Sequence, residues 1–314
     1  MLEKERQLTE LRKKIEELRR FSEQKQIDLS AEIKVLEDKL EKMKAEAVTN
    51  LSPMDKLNLS RMLERPTALD YISKVFDGFI ELHGDRKYRD DPSIVGGLAR
   101  LRGMPVTVIG QQKGRNTREN VQRNFGMPSP EGYRKALRLM KQAEKFQRPV
   151  ICFIDTPGAD PGVGAEERGQ GEAIARNLLE MIQLRTPIIS IVIGEGGSGG
   201  ALALSVADQI WMLEHSVYSI LSPEGFASIL WKDASRAKEA AQMMRITAQD
   251  LYEFGIIDRI LPEPVGGAHT DPDQMAATIK ESLLKVPFAE MKADIDRVVE
   301  LRFEKYRRIG NFWE

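Results

Sequence analysis

Residues 187–204 read Pro187-Ile188-Ile189-Ser190-Ile191-Val192-Ile193-Gly194-Glu195-Gly196-Gly197-Ser198-Gly199-Gly200-Ala201-Leu202-Ala203-Leu204, and the order of residue types in this stretch decides the fold. Ile188 to Ile193 are β-favouring with only Ser190 polar, the mark of a strand buried on both faces. Ala201 to Leu204 favour helix. Between them, five glycines in seven positions join strand to helix. A helix that starts in glycine exposes backbone N–H groups with no intrahelical acceptor. The helix dipole adds about half a positive charge at that end. With no side chains in the way, an anion or a polarised carbonyl can approach closely.

Four readings compete for this turn. A Walker-type phosphate loop requires Gly-Lys-Ser/Thr, but Ala201 follows Gly200 and the chain contains no Gly-Lys dipeptide. Asp155-Thr156-Pro157-Gly158 resembles a GTPase motif, yet without that loop it implies no nucleotide hydrolysis. Gly196-Gly197-Ser198-Gly199-Gly200 matches the Gly-x-Ser-x-Gly nucleophile elbow, which makes a serine hydrolase built on Ser198 the alternative function. Such a serine needs a histidine base; of His83, His215 and His269, only the last two follow it in the chain. The third reading is an oxyanion hole made of backbone N–H groups, with no side-chain nucleophile. The fourth is a tight turn that only packs.

Outward from this stretch the pattern is α/β. Strands are expected at Ile94–Leu101 and Pro105–Gln112 (a hairpin through Arg102-Gly103), Val150–Asp155, Ile188–Ile193, Gln209–Leu213, Val217–Leu221 and Ile256–Leu261. Helices are expected after Ser52-Pro53, from Thr67-Ala68-Leu69-Asp70 to Phe76, and from Ser129-Pro130-Glu131 to about Gln147. Further helices are expected at Gln170–Leu184, Ser198–Ala207, Pro223–Leu230, Ala234–Met244, Asp273–Lys285 and Phe288–Arg308. Lys113–Pro128 is expected to be a basic loop and Thr156–Gly169 a glycine-rich one. The loops at Asp155–Gly169 and Gly194–Gly200 both follow strand C-termini, where open α/β sheets bind ligands, and should be neighbours. Residues 1–50 form a separate expectation, an arm of two amphipathic helices with Leu8, Leu11, Ile15 and Leu18, then Ile33, Leu36, Leu40, Met43 and Ala47, as narrow stripes. The rest, 51–314, is one domain.

Composition narrows the function classes. The formal net charge of −1 gives no bulk attraction to nucleic acid or membrane. A single cysteine, Cys152, excludes an internal disulfide and a Cys-rich zinc site within this chain; its apolar strand setting predicts a buried, inert thiol. The charged N-terminus is no secretory signal, and no apolar run is long enough for a membrane helix, so a cytoplasmic protein is expected.

Several blocks together resemble one family. They are Asn124-Phe125-Gly126-Met127-Pro128, Pro130-Glu131-Gly132-Tyr133-Arg134-Lys135-Ala136, Asp155-Thr156-Pro157-Gly158-Ala159, Pro161–Gln170, Gly194–Ala201, Ser222-Pro223-Glu224-Gly225 and Ile229-Leu230-Trp231-Lys232. In this order, over roughly Leu51–Pro287, they are similar to the α subunits of bacterial acetyl-CoA carboxylase carboxyltransferase. The resemblance implies a crotonase-like fold, a spiral of β-β-α units. It implies transfer of the carboxyl group from N1-carboxybiotin, borne on the biotin carboxyl carrier protein, to acetyl-CoA, giving malonyl-CoA for fatty acid biosynthesis. It implies activity only with a β subunit in an α2β2 assembly, zinc in that β subunit rather than here, and biotin carboxylase as the further, ATP-binding component. One departure is Asp160, where the family usually has Tyr.

In that chemistry substrate and cofactor provide their own acid–base groups, and the protein provides donors for developing oxyanions. The resemblance assigns this chain's donors to the N–H groups of Gly199 and Gly200, facing the biotin ureido oxygen. Gly196, Gly197, Gly158, Ala159, Gly162 and Gly164 are expected to line the biotin or substrate pocket. Lys113, Arg115, Arg118 and Arg123 are candidate contacts for CoA phosphates or the carrier. Glu166, Glu167 and Arg168 are expected to form a structural ion pair, and Trp211, Trp231 and Trp313 to serve core or interface.

Overall fold

A computed structural model describes Leu11, Lys14, Ile15, residues 17–22, Lys25, residues 28–49 (backbone only from 40) and residues 51–310. Leu8, Trp313 and the side chains of Leu40, Met43 and Ala47 lie outside the described residues. In the arm, helix α1 (Ser30–Thr49) keeps Ile33 and Leu36 half-buried, and Arg19 of the preceding helical run pairs with Glu37.

Helix α2 (Pro53–Ser60) starts at Ser52, whose side chain accepts from the Asp55 N–H while Asp55 accepts back, the reciprocal cap expected of Ser-Pro-x-Asp. Helix α3 (Ala68–Val75) has the same arrangement at Thr67 and Asp70. Strands β1 (Asp77–Glu81), β2 (Ile94–Leu101) and β3 (Met104–Gln111) form an antiparallel meander. Strand β1 escaped the sequence reading because its Asp77-Gly78 start and exposed edge position break the alternation. The basic segment after β3 is not all loop: α4 (Thr117–Gln122) is capped by the Asn116 side chain.

From here the chain alternates. Helix α5 (Pro130–Lys145) leads to β4 (Val150–Thr156); α6 (Val163–Glu167) and α7 (Gln170–Gln183) lead to β5 (Ile188–Gly197); α8 (Ser198–Leu202) leads to β6 (Gln209–Leu213). Then follow β7 (Val217–Ser219), α9 (Pro223–Trp231), α10 (Ala237–Met244), α11 (Ala248–Glu253), β8 (Arg259–Leu261), α12 (Pro272–Leu284), α13 (Phe288–Ala293) and α14 (Ile295–Arg307). Several expectations need correction here, the first being the strand from Ile188, which runs on to Gly197 rather than ending at Ile193. The helix at Ser198 ends at Leu202 rather than Ala207; the last strand is Arg259–Leu261 only; and the C-terminal helix breaks at Asp294, whose side chain caps α14. Helices α4, α6 and α11 are too short to show a hydrophobic period.

The sheet order is β1-β2-β3-β4-β5-β6-β8, parallel from β3 onward. Strictly sequential parallel strands with crossovers of one hand place the connecting helices on one face. Accordingly Leu139 of α5, Met181 of α7, Ala201 of α8 and Leu251 of α11 share a core with Val150, Cys152 and Ile154 of β4. The alternate residues Ile151 and Phe153 face the other layer, with Tyr71 and Ile72 of α3 and Ile279 and Leu283 of α12. Strand β5 pairs with β6 through Ile189–Val192, then with β7 through Glu195–Gly197, while Gly196 keeps its pairing with Thr156 of β4 on the other side.

Helix α14 is tied to this body chiefly through buried Arg302, with Tyr306 also bonding Ser205 and Ala207. Arg302 spends its guanidinium donors on both Asp208 oxygens (2.8 and 3.0 Å) and on the carbonyls of Met181, Leu184 and Thr186.

Candidate functional site

The two glycine-bearing loops leave neighbouring parallel strands, with Thr156 in register with Gly196. Thr156 locks the first loop: its hydroxyl donates to Gly158 O (2.6 Å) and accepts from Gly158 N (3.1 Å). The second loop presses backbone against backbone. A Cβ on Gly197 would lie 2.1 Å from Pro157 O, and one on Gly200 would lie 2.5 Å from Ala159 N and 2.6 Å from Gly158 C. No side chain fits at either position. Gly194 is held to glycine by the Asp155 carboxylate (2.4 Å) and Gly196 by the Tyr218 ring (2.8 Å). At Gly199 a Cβ would meet only Ile174 Cγ2 at 3.5 Å, an ordinary contact. Four of the five glycines are thus required by the chain's own packing; Gly199 is not.

The turn itself is an elbow. Gly197 is extended (φ −97°, ψ 125°), Ser198 is left-handed (φ 53°), and the helix begins at once. Successive N–H groups after a left-handed residue point into a common concavity suited to an anion. The N–H groups of Gly199 and Gly200 sit in the first helical turn, where intrahelical acceptors do not exist. Among the described residues no other acceptor takes them. Gly200 is buried, so its donor is one that folding leaves to be satisfied by something else.

Beneath the elbow lies a buried polar layer that the sequence reading missed. Gln111, at the end of β3, is fully buried; its Oε1 accepts from Asp155 N (3.1 Å) and its Nε2 donates to Gly200 O (2.7 Å). Beside it, Lys113 Nζ lies 2.8 Å from both Asp155 Oδ1 and Glu195 Oε1. Arg61 bonds the other Glu195 oxygen (2.8 Å) and reaches Glu224 (3.0 Å). Burial favours the neutral form of both carboxyls, but they differ in partners. Glu195 has two cations, which outweigh burial and hold its pKa below the usual value. Asp155 has only Lys113, also faces Glu195, and is raised by burial. The only hint in the sequence was the polar doublet Gln111-Gln112 directly after an apolar strand.

The other candidates are distributed more widely. Gly158 and Ala159 back directly onto Gly200. Gly162 and Gly164 are exposed and belong to the start of α6, with Gly164 O accepting from Arg168. Lys113 is neutralised by its two carboxylates, whereas Arg115 pairs with Asp70, Arg123 donates to Pro92 O, and Arg118 is exposed. Arg168 pairs with buried Glu131 of α5 (2.7 Å), not with Glu166 or Glu167, which are exposed. Asp160 turns its carboxylate onto its own loop, accepting from Gly162 N (2.9 Å). Trp211 is fully buried, and Trp231 packs edge-on against Phe226.

Ser198 lacks the apparatus of a nucleophile. Its side chain is exposed, and no histidine among the described residues hydrogen-bonds it. His215 is buried beside Glu263, its pKa lowered by burial, and His83 pairs with Asp90. The serine-hydrolase alternative is therefore set aside. Burial pushes the Cys152 thiol up to about 12, which leaves it unreactive. Among the described residues no cluster of His, Cys, Asp and Glu has metal-ligand geometry, and no helix is long and apolar enough to cross a membrane.

Comparison with known proteins bears on this geometry. The family model described as acetyl co-enzyme A carboxylase carboxyltransferase-like matches residues 1–310. Relatives named acetyl-coenzyme A carboxylase carboxyl transferase subunit alpha include that of a Geobacillus species, 59% identical over 99% of this chain and 96% of its own. That of Clostridium acetobutylicum is 64% identical over 84% of this chain and 96% of its own, and that of Staphylococcus haemolyticus 55% identical over the full length of both. Among solved structures, a Pseudomonas malonate decarboxylase hetero-tetramer in complex with coenzyme A shares the fold, with a TM-score of 0.60, 18% identity, and 77% and 95% of the two chains covered. So does transcarboxylase 12S, with a TM-score of 0.57 and 20% identity over 76% of this chain but only 46% of the larger one. These neighbours share with this chain a mixed α/β fold with a central sheet and flanking helices.

Proposed function

The chain belongs to the family of acetyl-CoA carboxylase carboxyltransferase α subunits, and from that premise we propose how its elbow works. The chain completes a carboxyltransferase that moves a carboxyl group from N1-carboxybiotin, carried by the biotin carboxyl carrier protein, to acetyl-CoA. The product is malonyl-CoA, which places the reaction in fatty acid biosynthesis in the cytoplasm. The working enzyme pairs this subunit with a zinc-bearing β subunit as α2β2 and receives carboxybiotin made by biotin carboxylase.

The single observation that carries this reading is the pair of N–H groups at Gly199 and Gly200 that no acceptor among the described residues takes, with Gly158 and Ala159 packed against Gly200. Carboxybiotin supplies the carboxyl group, and its ureido oxygen becomes negative as that group leaves. The two N–H groups donate to that oxygen, with the positive end of α8 behind them. Their partner-free state fits this ligand, because a buried donor lacking an acceptor is best explained by one that arrives with the substrate. Loss of one such donor typically lowers the rate by about 10²–10³-fold. Gly196 and Gly197 act one step removed, by letting β5 run against Tyr218 and Pro157. Arg118, exposed, together with Arg115 and Arg123 is proposed to contact CoA phosphates or an acidic carrier surface, while Lys113 braces the layer beneath. Residues 1–50 act as a helical arm on a carboxyltransferase domain of 51–314.

The test is reconstitution. Malonyl-CoA decarboxylation in the presence of a biotin derivative is measured with the chain alone and with its β partner. Activity should need both. Robust turnover by this chain alone would refute a site shared between subunits.

A further inference from the structure

We propose that Gln111 is a positioning residue for the carboxyl transfer, acting by fixing the peptide that follows Gly200. The inference rests on the reading that Gly199 and Gly200 are the donors. Gln111 touches neither substrate nor cofactor in that reading; it acts through the backbone.

Three observations carry it. First, the Gln111 side chain is fully buried, where an amide is retained only if both its ends are satisfied. Second, its two bonds run to different elements: Oε1 accepts from Asp155 N at the end of β4 (3.1 Å), and Nε2 donates to Gly200 O in α8 (2.7 Å). One partner is a backbone donor and the other a backbone acceptor, so the amide has one permitted orientation. Third, Gly200 is fixed from its opposite flank by contact with Gly158 and Ala159. The bond to the carbonyl anchors the peptide after Gly200, and with it the Cα from which the Gly200 N–H is set. Gly200 is the residue whose freedom most needs removal, because glycine has the widest φ/ψ range. Without the bond the first turn of a five-residue helix has little to hold it, since so short a helix has almost no ladder of its own. Preorganised donors are effective because they need no reorganisation during reaction, and displacement by about 1 Å can cost roughly 10²-fold in rate.

The decisive variant is Gln111→Glu, which keeps the acceptor for Asp155 N but presents an oxygen instead of a donor to Gly200 O. It is compared with Gln111→Met and Gly200→Ala, each reconstituted with the β subunit. For each, kcat and KM for malonyl-CoA decarboxylation with a biotin derivative are measured together with assembly mass and thermal midpoint. The inference expects Gln111→Glu to assemble, to lose about 10–100-fold in kcat, and to keep KM for malonyl-CoA within about twofold. Gln111→Met should behave the same way, since it too lacks the donor. A parental kcat, or a loss confined to KM, overturns the inference. So does failure of both Gln111 variants to assemble, because the residue then serves folding at large. If Gly200→Ala is inactive while both Gln111 variants retain full kcat, the inference fails and the donor reading stands. If Gly200→Ala retains full kcat, the donor reading fails and takes the inference with it.

Discussion

Gly200→Ala is the sharpest perturbation of the elbow, and the structure sets its size. The added methyl would lie 2.5 Å from Ala159 N, 2.6 Å from Gly158 C and 3.1 Å from Gly158 Cα. All three are backbone atoms, so no rotamer change relieves the contact. Restoring ordinary separation requires the two loops to part by about 1 Å, since carbon pairs settle near 3.5 Å. Overpacking of this kind costs about 1–3 kcal/mol of stability. The same displacement moves the Gly200 N–H away from its target, and 1 Å is worth roughly 10²-fold, or about 2.7 kcal/mol of barrier. Gly199→Ala is the matched control: its methyl meets Ile174 Cγ2 at 3.5 Å, and alanine favours the helix by up to about 1 kcal/mol. In the reconstituted decarboxylation assay, Gly200→Ala should therefore lose about 100-fold in kcat with assembly intact, and Gly199→Ala much less. Urea titration separates the stability component. Parental kcat for Gly200→Ala, or a greater loss for Gly199→Ala than for Gly200→Ala, would refute the reasoning.

Further outcomes follow from Ser198 and from the buried Arg65–Glu263 ion pair, in which the Glu263 side chain is fully covered. Ser198→Ala should keep kcat within a few-fold, because the hydroxyl has no base, and Ser198→Gly should stabilise the fold by about 1 kcal/mol by relieving the left-handed φ of 53°; abolition of turnover in Ser198→Ala would restore a nucleophilic serine. Glu263→Gln should cost about 3–5 kcal/mol in urea unfolding at neutral pH, since it leaves Arg65, nearly fully buried, without its carboxylate. The pH dependence has a definite sign: burial opposes ionisation of Glu263, but Arg65 outweighs it and depresses the folded pKa, so the stabilisation is full above the ordinary glutamate value near 4.5 and is lost as pH falls through the depressed value. Stability of the parent should thus decline more steeply with acid than that of Glu263→Gln, and parallel acid limbs would contradict the assignment.

How much of this was legible in the sequence depended on the range of the interactions. The buried strands at Val150 and Ile188 announced themselves as continuous β-branched runs, because both faces of a parallel strand are covered. The helix starts at Ser52 and Thr67 were legible because Pro in a first turn and capping-box spacing each act within four residues. Edge strand β1 and the short helices α4, α6 and α11 were not, since each is formed by what packs on it and holds too few residues to display a period. At the site, the glycine turn was visible, but the reason for each glycine was not. Gly194, Gly196, Gly197 and Gly200 look alike in sequence and answer to four different neighbours: a carboxylate, an aromatic ring and two stretches of backbone. Lys113 shows the same limit. Its place in a basic segment suggested an anion contact, whereas the fold buries it between Asp155 and Glu195.

By itself the sequence determined the α/β class, the strand–turn–helix at Ile188–Leu204 and the family, because these are encoded in local spacing and in blocks of consecutive residues. Only the tertiary structure decided that Gln111, Lys113, Asp155 and Glu195 form the floor beneath the Gly199–Gly200 donors. Those residues lie at or just beyond the ends of three strands separated by tens of positions, and parallel pairing of β3, β4 and β5 is what brings those ends together. A hydrogen bond between Gln111 and Gly200 spans 89 positions, and no local pattern of residue types encodes a contact of that range.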